Sequence, residues 1–215
     1  MRVMTAGKTG PKAFKIQESL NVHGIPFGML WGPTSYKNPW CEYALDNDCF
    51  HNSHKTNWWN IEGEYKWLKM LDKVSNCELQ PMFATLPDVV GDWYATLDIS
   101  SRYIPELRSR NIRPAIVLQD GATCESAAST GVDVFFVGGT VEWKWANVEA
   151  ISTWCRENKT YLHVGQVNGI AKTVRCIELD VQSCDGSGLA RFSDSMLPLT
   201  IKAFCKNPQE RMMFQ

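Results

Sequence analysis

The sequence predicts one α/β domain spanning residues 1–215, a compact closed (β/α)8 barrel of the TIM type. Three observations lead there. Short apolar runs bounded by Gly, Asp and Pro alternate with helix-like segments almost from end to end, the pattern of parallel strands buried on both faces. Eight such runs can be counted, and the even period favours a closed barrel over an open doubly wound sheet. Five of the runs end at a carboxylate, an amide or a glycine pair: YALDND at Asp46, MFATLPD at Asp88, AIVLQDG at Gln119, VFFVGGT at Gly138 and Gly139, and VQSCDGS at Asp185.

The expected strands are 2–5 (RVMT), 25–30 (IPFGML), 42–46 (EYALD), 81–86 (PMFATL), 114–119 (PAIVLQ), 133–138 (DVFFVG), 160–165 (TYLHVG) and 181–185 (VQSCD). The N-terminal strand is the weak member. It is short, and the connection 31–41 (WGPTSYKNPWC) is all turn signal, so a barrel with one weak or missing strand reads the same way. Helices are expected at 62–75, where Tyr65, Leu68, Leu71 and Val74 keep helical spacing, and at 99–110, 141–157 and 168–179. A last helix over 189–205 should be interrupted near Pro198.

Composition bounds the partners. Lys and Arg number 22 against 23 Asp and Glu, a net charge of -1, so no global field draws the chain to nucleic acid or an anionic membrane. No run approaches the roughly 18 apolar residues of a membrane span. Residues 1–12 lack the apolar core of a signal peptide, and eight cysteines without a CxxC pair suit reduced thiols in a cytoplasmic protein. Cys41, Cys49, His51 and His54 make the nearest approach to a zinc set; their spacing fits loosely, and a buried thiol pair beside surface histidines reads as well. No metal or cofactor is expected.

In parallel α/β folds the working residues sit where strands end and loops begin. Asp46, Asp88, Gln119 and Asp185 would then converge on one rim, although a strand-terminal Asp also serves as a cap for the next helix. His163, inside YLHVG, is either a satisfied core histidine or a group that orients a ligand or nucleophile. Gly138 and Gly139 suit a tight βα turn, a close ligand approach, or both. Phe50, Trp58, Trp59, Trp143 and Trp145 are candidate stacking surfaces, with core packing the alternative for the tryptophans. Lys55, Lys144 and Arg191 follow strand ends and are candidate phosphate contacts. Arg108, Arg110 and Arg113 precede a strand and belong to the opposite rim. Arg175 and Glu178 read as a surface pair.

The ordered set resembles the tRNA-guanine transglycosylase superfamily, and within it the short DpdA-like branch that inserts 7-deazaguanine bases into DNA in phages and bacterial modification islands. The similarity spans about residues 42 to 192 and rests on ALDNDCF, TLPDVV, VLQDG, FFVGGT, YLHVGQV and DVQSCDGS in this order. The resemblance implies a general acid/base at Asp46, a base-stacking ring at Phe50, recognition of the purine edge by Asp88, Gln119 and the Gly138–Gly139 backbone, and a nucleophile at Asp185. The partners it implies are DNA and a free 7-deazaguanine base, in the host cytoplasm if the protein is phage-encoded. Two departures stand out. The CxCxxC plus His zinc segment of the tRNA enzymes has no counterpart after Asp185, which favours DNA over tRNA. Asp48 replaces a family glycine, leaving open whether Asp46 or Asp48 faces the site. Rival readings are a tRNA-acting transglycosylase, a glycosylase that only removes the base, and a non-catalytic nucleic-acid-binding relative.

Overall fold

A chain of short buried strands has no edge to spare when each is flanked by two others, and here all eight close on themselves. The computed structural model describes residues 1–6 and 10–205. The strands are β1 (Arg2–Ala6), β2 (Phe27–Trp31), β3 (Tyr43–Leu45), β4 (Ala84–Thr85), β5 (Pro114–Leu118), β6 (Val134–Val137), β7 (Tyr161–Val164) and β8 (Ser183–Asp185), each parallel to the next. The ring closes where Arg2, Val3 and Met4 of β1 pair with Ser183, Cys184 and Asp185 of β8. Around it run α1 (Pro11–Asn21), α2 (Glu64–Val74), α3 (Trp93–Ser109), α4 (Cys124–Ala128), α5 (Val141–Glu157), α6 (Ile170–Glu178), α7 (Ser187–Arg191) and α8 (Ser193–Cys205). This is a TIM barrel.

Side chains alternate across each strand, and the two faces of the sheet feed two cores. Met4, Leu30, Ala44, Phe83, Ala115 and Val134 fill the barrel interior. Their neighbours one residue away, among them Val3, Trp31, Leu45, Ala84, Ile116 and Phe135, face outward and pack under the helices. Continuing the inward parity past the last apolar residue brings Asp46, Thr85, Gln119, Gly138, His163, Gly165 and Asp185 to the inner wall, at or just below the carboxyl mouth.

Several expected elements shift. The weak strand is β4, with two residues, whereas β1 has five and pairs on both sides. Between β2 and β3 the chain runs through turns, as the Gly-Pro-rich segment dictates. α1 was not among the expected helices, although Ala13, Ile16 and Leu20 keep helical spacing and Pro11 opens its first turn. The C-terminal helix breaks at Phe192, and Pro198 lies inside α8. α3 starts at Trp93, six residues ahead of the expected 99, because the side chain of Asp92 caps it by accepting from the Ala95 N–H at 3.0 Å.

Candidate active site

None of the three strand-terminal carboxylates is a helix cap. Asp92, Thr123 and Thr140 cap α3, α4 and α5, while α7 begins at Gly186 with no side-chain cap. The oxygens of Asp46, Asp88 and Asp185 meet neighbouring side chains and loop N–H groups rather than a helix end.

Asp185 is 5% exposed. Its Oδ1 receives the His163 Nε2 at 3.1 Å and the Gln166 N–H at 3.2 Å, and no hydrogen bond among the described residues reaches Oδ2. His163 is fully buried, its ring stacked on Phe136 at 4.5 Å, so it is a satisfied core histidine, and the same ring touches the Asp185 carboxylate. Gln166 holds the left-handed backbone, φ 57°, which aims its N–H at Asp185.

Asp46 is half-buried. Its Oδ1 accepts from the Asn47 N–H at 2.8 Å and, weakly, from the Thr85 hydroxyl at 3.4 Å. Burial first, and then the charges of Asp48, Asp185 and Asp88, push its carboxyl from 3.8 up to about 8. Those couplings place the carboxylates in one field and favour the protonated form of Asp46.

Asp48 has a different task. The Thr34 N–H and hydroxyl donate to its Oδ2 at 3.1 and 2.7 Å, and its backbone turns left-handed at φ 60°. Asp48 thus ties the β3–α2 connection to the β2–β3 turn, and Asp46 is the carboxylate that faces the mouth.

Asp88 and Gln119 are brought together. Gln119 Nε2 donates to Asp88 Oδ2 at 2.6 Å, and Asn47 Nδ2 donates to Asp88 Oδ1 at 2.7 Å. Gln119 Oε1 in turn accepts from the Gly91 N–H at 2.8 Å and the Gly139 N–H at 3.0 Å. Burial raises Asp88 to about 6, offset by the amides of Asn47 and Gln119. The Gly138 N–H donates to Leu118 O at 3.0 Å, so both glycine donors are occupied inside the protein, and a ligand would meet them only by exchanging those bonds. Gly139 is required by its backbone: φ is 73°, and a Cβ would lie 2.7 Å from Trp143.

Phe50 projects from the β3–α2 connection, 55% exposed, with no aromatic partner among the described residues. Trp58 and Trp59 are core, and Trp143 and Trp145 pack partly buried against it, so the tryptophans are structural. Lys144 is not a phosphate contact: it is 3% exposed and its ammonium donates to Gly165 O at 2.7 Å. Burial pushes its pKa down and Asp185 pulls it back. Lys55 lies 3.6 Å from Glu62, and Arg191 is exposed. On the far rim Arg110 pairs with Asp72 and Glu106, and Arg113 with Asp133, while Arg108 donates to Gly131 O. Arg175 lies 3.9 Å from Glu178 and bonds Glu149. Cys41 and Cys49 are buried whereas His51 and His54 are exposed, and among the described residues no group of three or more His, Cys, Asp or Glu could hold a metal ion.

Asn47, Thr85, Ser183 and Gln166 were not anticipated. Ser183 and Thr85 carried a readable signal, since each is a polar residue at an inward position of an apolar strand, and Ser183 is two residues from Asp185.

No family model and no curated protein matches the sequence. Solved structures match in shape: a 3-hexulose-6-phosphate synthase at TM-score 0.53 and 8% identity, over 94% of this chain and 99% of that one. The 3-hexulose-6-phosphate synthase of Salmonella typhimurium matches at 0.52 and 10%, over 96% and 99%. The tryptophan synthase of M. tuberculosis, in its open form with BRD0059 bound, matches at 0.55 and 11%, over 94% and 89%. At such identities the likeness is one of fold.

Proposed function

We propose that the protein is an enzyme, a transglycosylase that replaces guanine in DNA by a 7-deazaguanine. The observation that carries this reading is that Asp46 and Asp185 stand on the inner wall at the barrel mouth in different surroundings: Asp46 beside Asn47 and Thr85, where burial and neighbouring carboxylates favour its acid form, and Asp185 engaged only through Oδ1 among the described residues. The ordered motifs of the sequence agree with it.

The exchange needs no electron transfer. Asp185 Oδ2 attacks C1′ of the deoxyguanosine as the C1′–N9 bond breaks through an oxocarbenium-like state, giving a glycosyl ester. The proton of Asp46 passes to the departing guanine, which leaves neutral. The incoming deazaguanine returns a proton from N9 to Asp46, its N9 bonds to C1′, and the ester to Asp185 is released. Asp88 and Gln119, with Asn47 behind them, form a polar edge that a guanine-like base would pair by exchanging partners, and a base without matching groups would leave it unpaired. Phe50 offers a face for an extruded base.

The test is incorporation of labelled guanine and labelled 7-deazaguanine into DNA and tRNA side by side, with Asp185→Asn as control. Label should enter DNA alone and not in the mutant, and a denaturation-resistant protein–DNA adduct should be trapped. Incorporation by Asp185→Asn at the wild-type rate would remove the nucleophile. Abasic sites without incorporation would make the protein a glycosylase, and label in tRNA would reassign the substrate.

A further inference from the structure

We infer that Ser183 and His163 form a clamp that decides which oxygen of Asp185 faces the cavity. The imidazole is fully buried, stacked on Phe136 at 4.5 Å and edge-on to Phe83 at 5.4 Å, so its plane is fixed by packing. Each ring nitrogen has one partner: Nδ1 meets Ser183 Oγ at 2.8 Å, and Nε2 meets Asp185 Oδ1 at 3.1 Å.

Donor arithmetic then sets the tautomer. An ionised carboxylate only accepts, so Nε2 must carry the hydrogen. In a neutral ring Nδ1 is then bare, and it needs a donor. Ser183 is that donor, its hydroxyl 2.8 Å from the bare nitrogen. With the tautomer locked, the Nε2–H and the Gln166 N–H, at 3.2 Å, both fall on Oδ1. Oδ1 is pinned from two directions and Oδ2 alone is presented. His163 touches neither base nor sugar, and its role is to position Asp185; this inference rests on the reading of Asp185 as the group that captures the sugar.

The clamp is tested first without activity. Long-range 1H–15N NMR of protein labelled with [15N]histidine, between pH 6 and 8, should show His163 as the Nε2–H tautomer, its signals assigned by their loss in His163→Gln. Ser183→Ala should leave a mixture of tautomers. A wild-type Nδ1–H ring, or a doubly protonated one, overturns the clamp whatever the enzyme does.

The second readout is single-turnover exchange. Loss of a hydrogen bond to a charged group predicts a fall of about 10- to 100-fold in the rate of glycosyl-ester formation for His163→Leu, with KM within about twofold. His163→Gln, whose amide can still donate near the Nε2 position, should recover part of that loss. Ser183→Ala, a smaller change in the core, should fall about tenfold and covers the case in which His163→Leu does not fold. Wild-type rates in His163→Leu or Ser183→Ala, or a loss confined to KM, overturn the positioning role. If the wild type exchanges no base at all, the transglycosylase reading falls, and the NMR tautomer still decides the clamp.

Discussion

Asn47 donates its side-chain amide to Asp88 Oδ1 at 2.7 Å, so the loop that carries Asp46 also holds the carboxylate of the next strand. The same amide reaches Leu86 O at 2.6 Å, its oxygen accepts from the Cys49 N–H at 2.7 Å, and its own N–H donates to Asp46. With Asn47 2% exposed, truncation strands several buried groups at once. Asn47→Ala should destabilise the fold by about 2–4 kcal/mol, and thermal unfolding will measure it. Asn47→Asp should be worse at pH 8 than at pH 6, because it adds a carboxylate to a site that already disfavours one. Equal melting temperatures at the two pH values would contradict this.

The two raised carboxylates set a pH profile. Folded Asp46 titrates at about 8 and Asp88 at about 6, both above the ordinary 3.8. Between about pH 4 and 8 the folded protein therefore binds more protons than the unfolded chain, so stability falls as pH rises through that window. Asp46→Asn removes the larger contribution and should flatten the decline between pH 6 and 8, raising the melting temperature by a few degrees at pH 8.

Activity should follow a different curve. Pairing of Asp88 with the donor edge of a guanine-like base asks for the ionised form, and protonation of the leaving base asks for neutral Asp46. The dependence of kcat/KM on pH should be a bell with limbs near 6 and 8, the upper limb absent from whatever residual rate Asp46→Asn retains. A rate that keeps rising above pH 9 would oppose the assignment of Asp46 as acid.

Asp46 and Asp48 separate by substitution. Asp48 serves Thr34 and lies so close to Gly32 that a Cβ there would fall 1.8 Å from its Oδ1. Asp48→Asn keeps an acceptor and tolerates φ 60°, so base exchange should stay within a few-fold of wild type. Asp48→Ala loses both features and should cost about 1–3 kcal/mol of stability. Asp46→Asn should instead lose about 100-fold or more in rate with the fold intact. If the two Asn variants lose activity equally, the division of roles is wrong.

How far the sequence reaches is clearest at these residues. Period-two alternation carries Asp46, Gln119, His163 and Asp185 onto the inner wall, because each continues the parity of a strand whose inward members are apolar. The same counting points to Asp48, and there it fails: β3 ends at Leu45, and the left-handed turn sends the next carboxylate back to Thr34. Lys144 fails for another reason. It follows a strand end, but it continues the inward stripe of α5 made by Val148, Ile151 and Cys155, so its ammonium meets Gly165 O rather than solvent. Local spacing also could not show that Gln119 would occupy the Gly139 N–H, since that bond joins two loops.

The cations at the mouth predict how DNA would be held. Of the three residues expected to meet phosphates, Lys144 is buried on a carbonyl, Lys55 lies beside Glu62, and Arg191 is exposed with no ion pair among the described residues. Each phosphate neutralised contributes about 0.9 to the slope of log K against log salt for duplex DNA, so a shallow slope of about -1 to -2 is expected, reduced by about one in Arg191→Ala. Under the proposed function affinity must then come from elsewhere, and the exposed ring of Phe50 would supply a contact that salt does not screen. Phe50→Ala should weaken DNA binding by about 1–3 kcal/mol at every ionic strength, leaving the slope unchanged. Fluorescence anisotropy with a guanine-containing oligonucleotide between 50 and 300 mM salt would measure both effects. A slope steeper than about -4 would mean that a cationic surface other than this mouth binds the backbone.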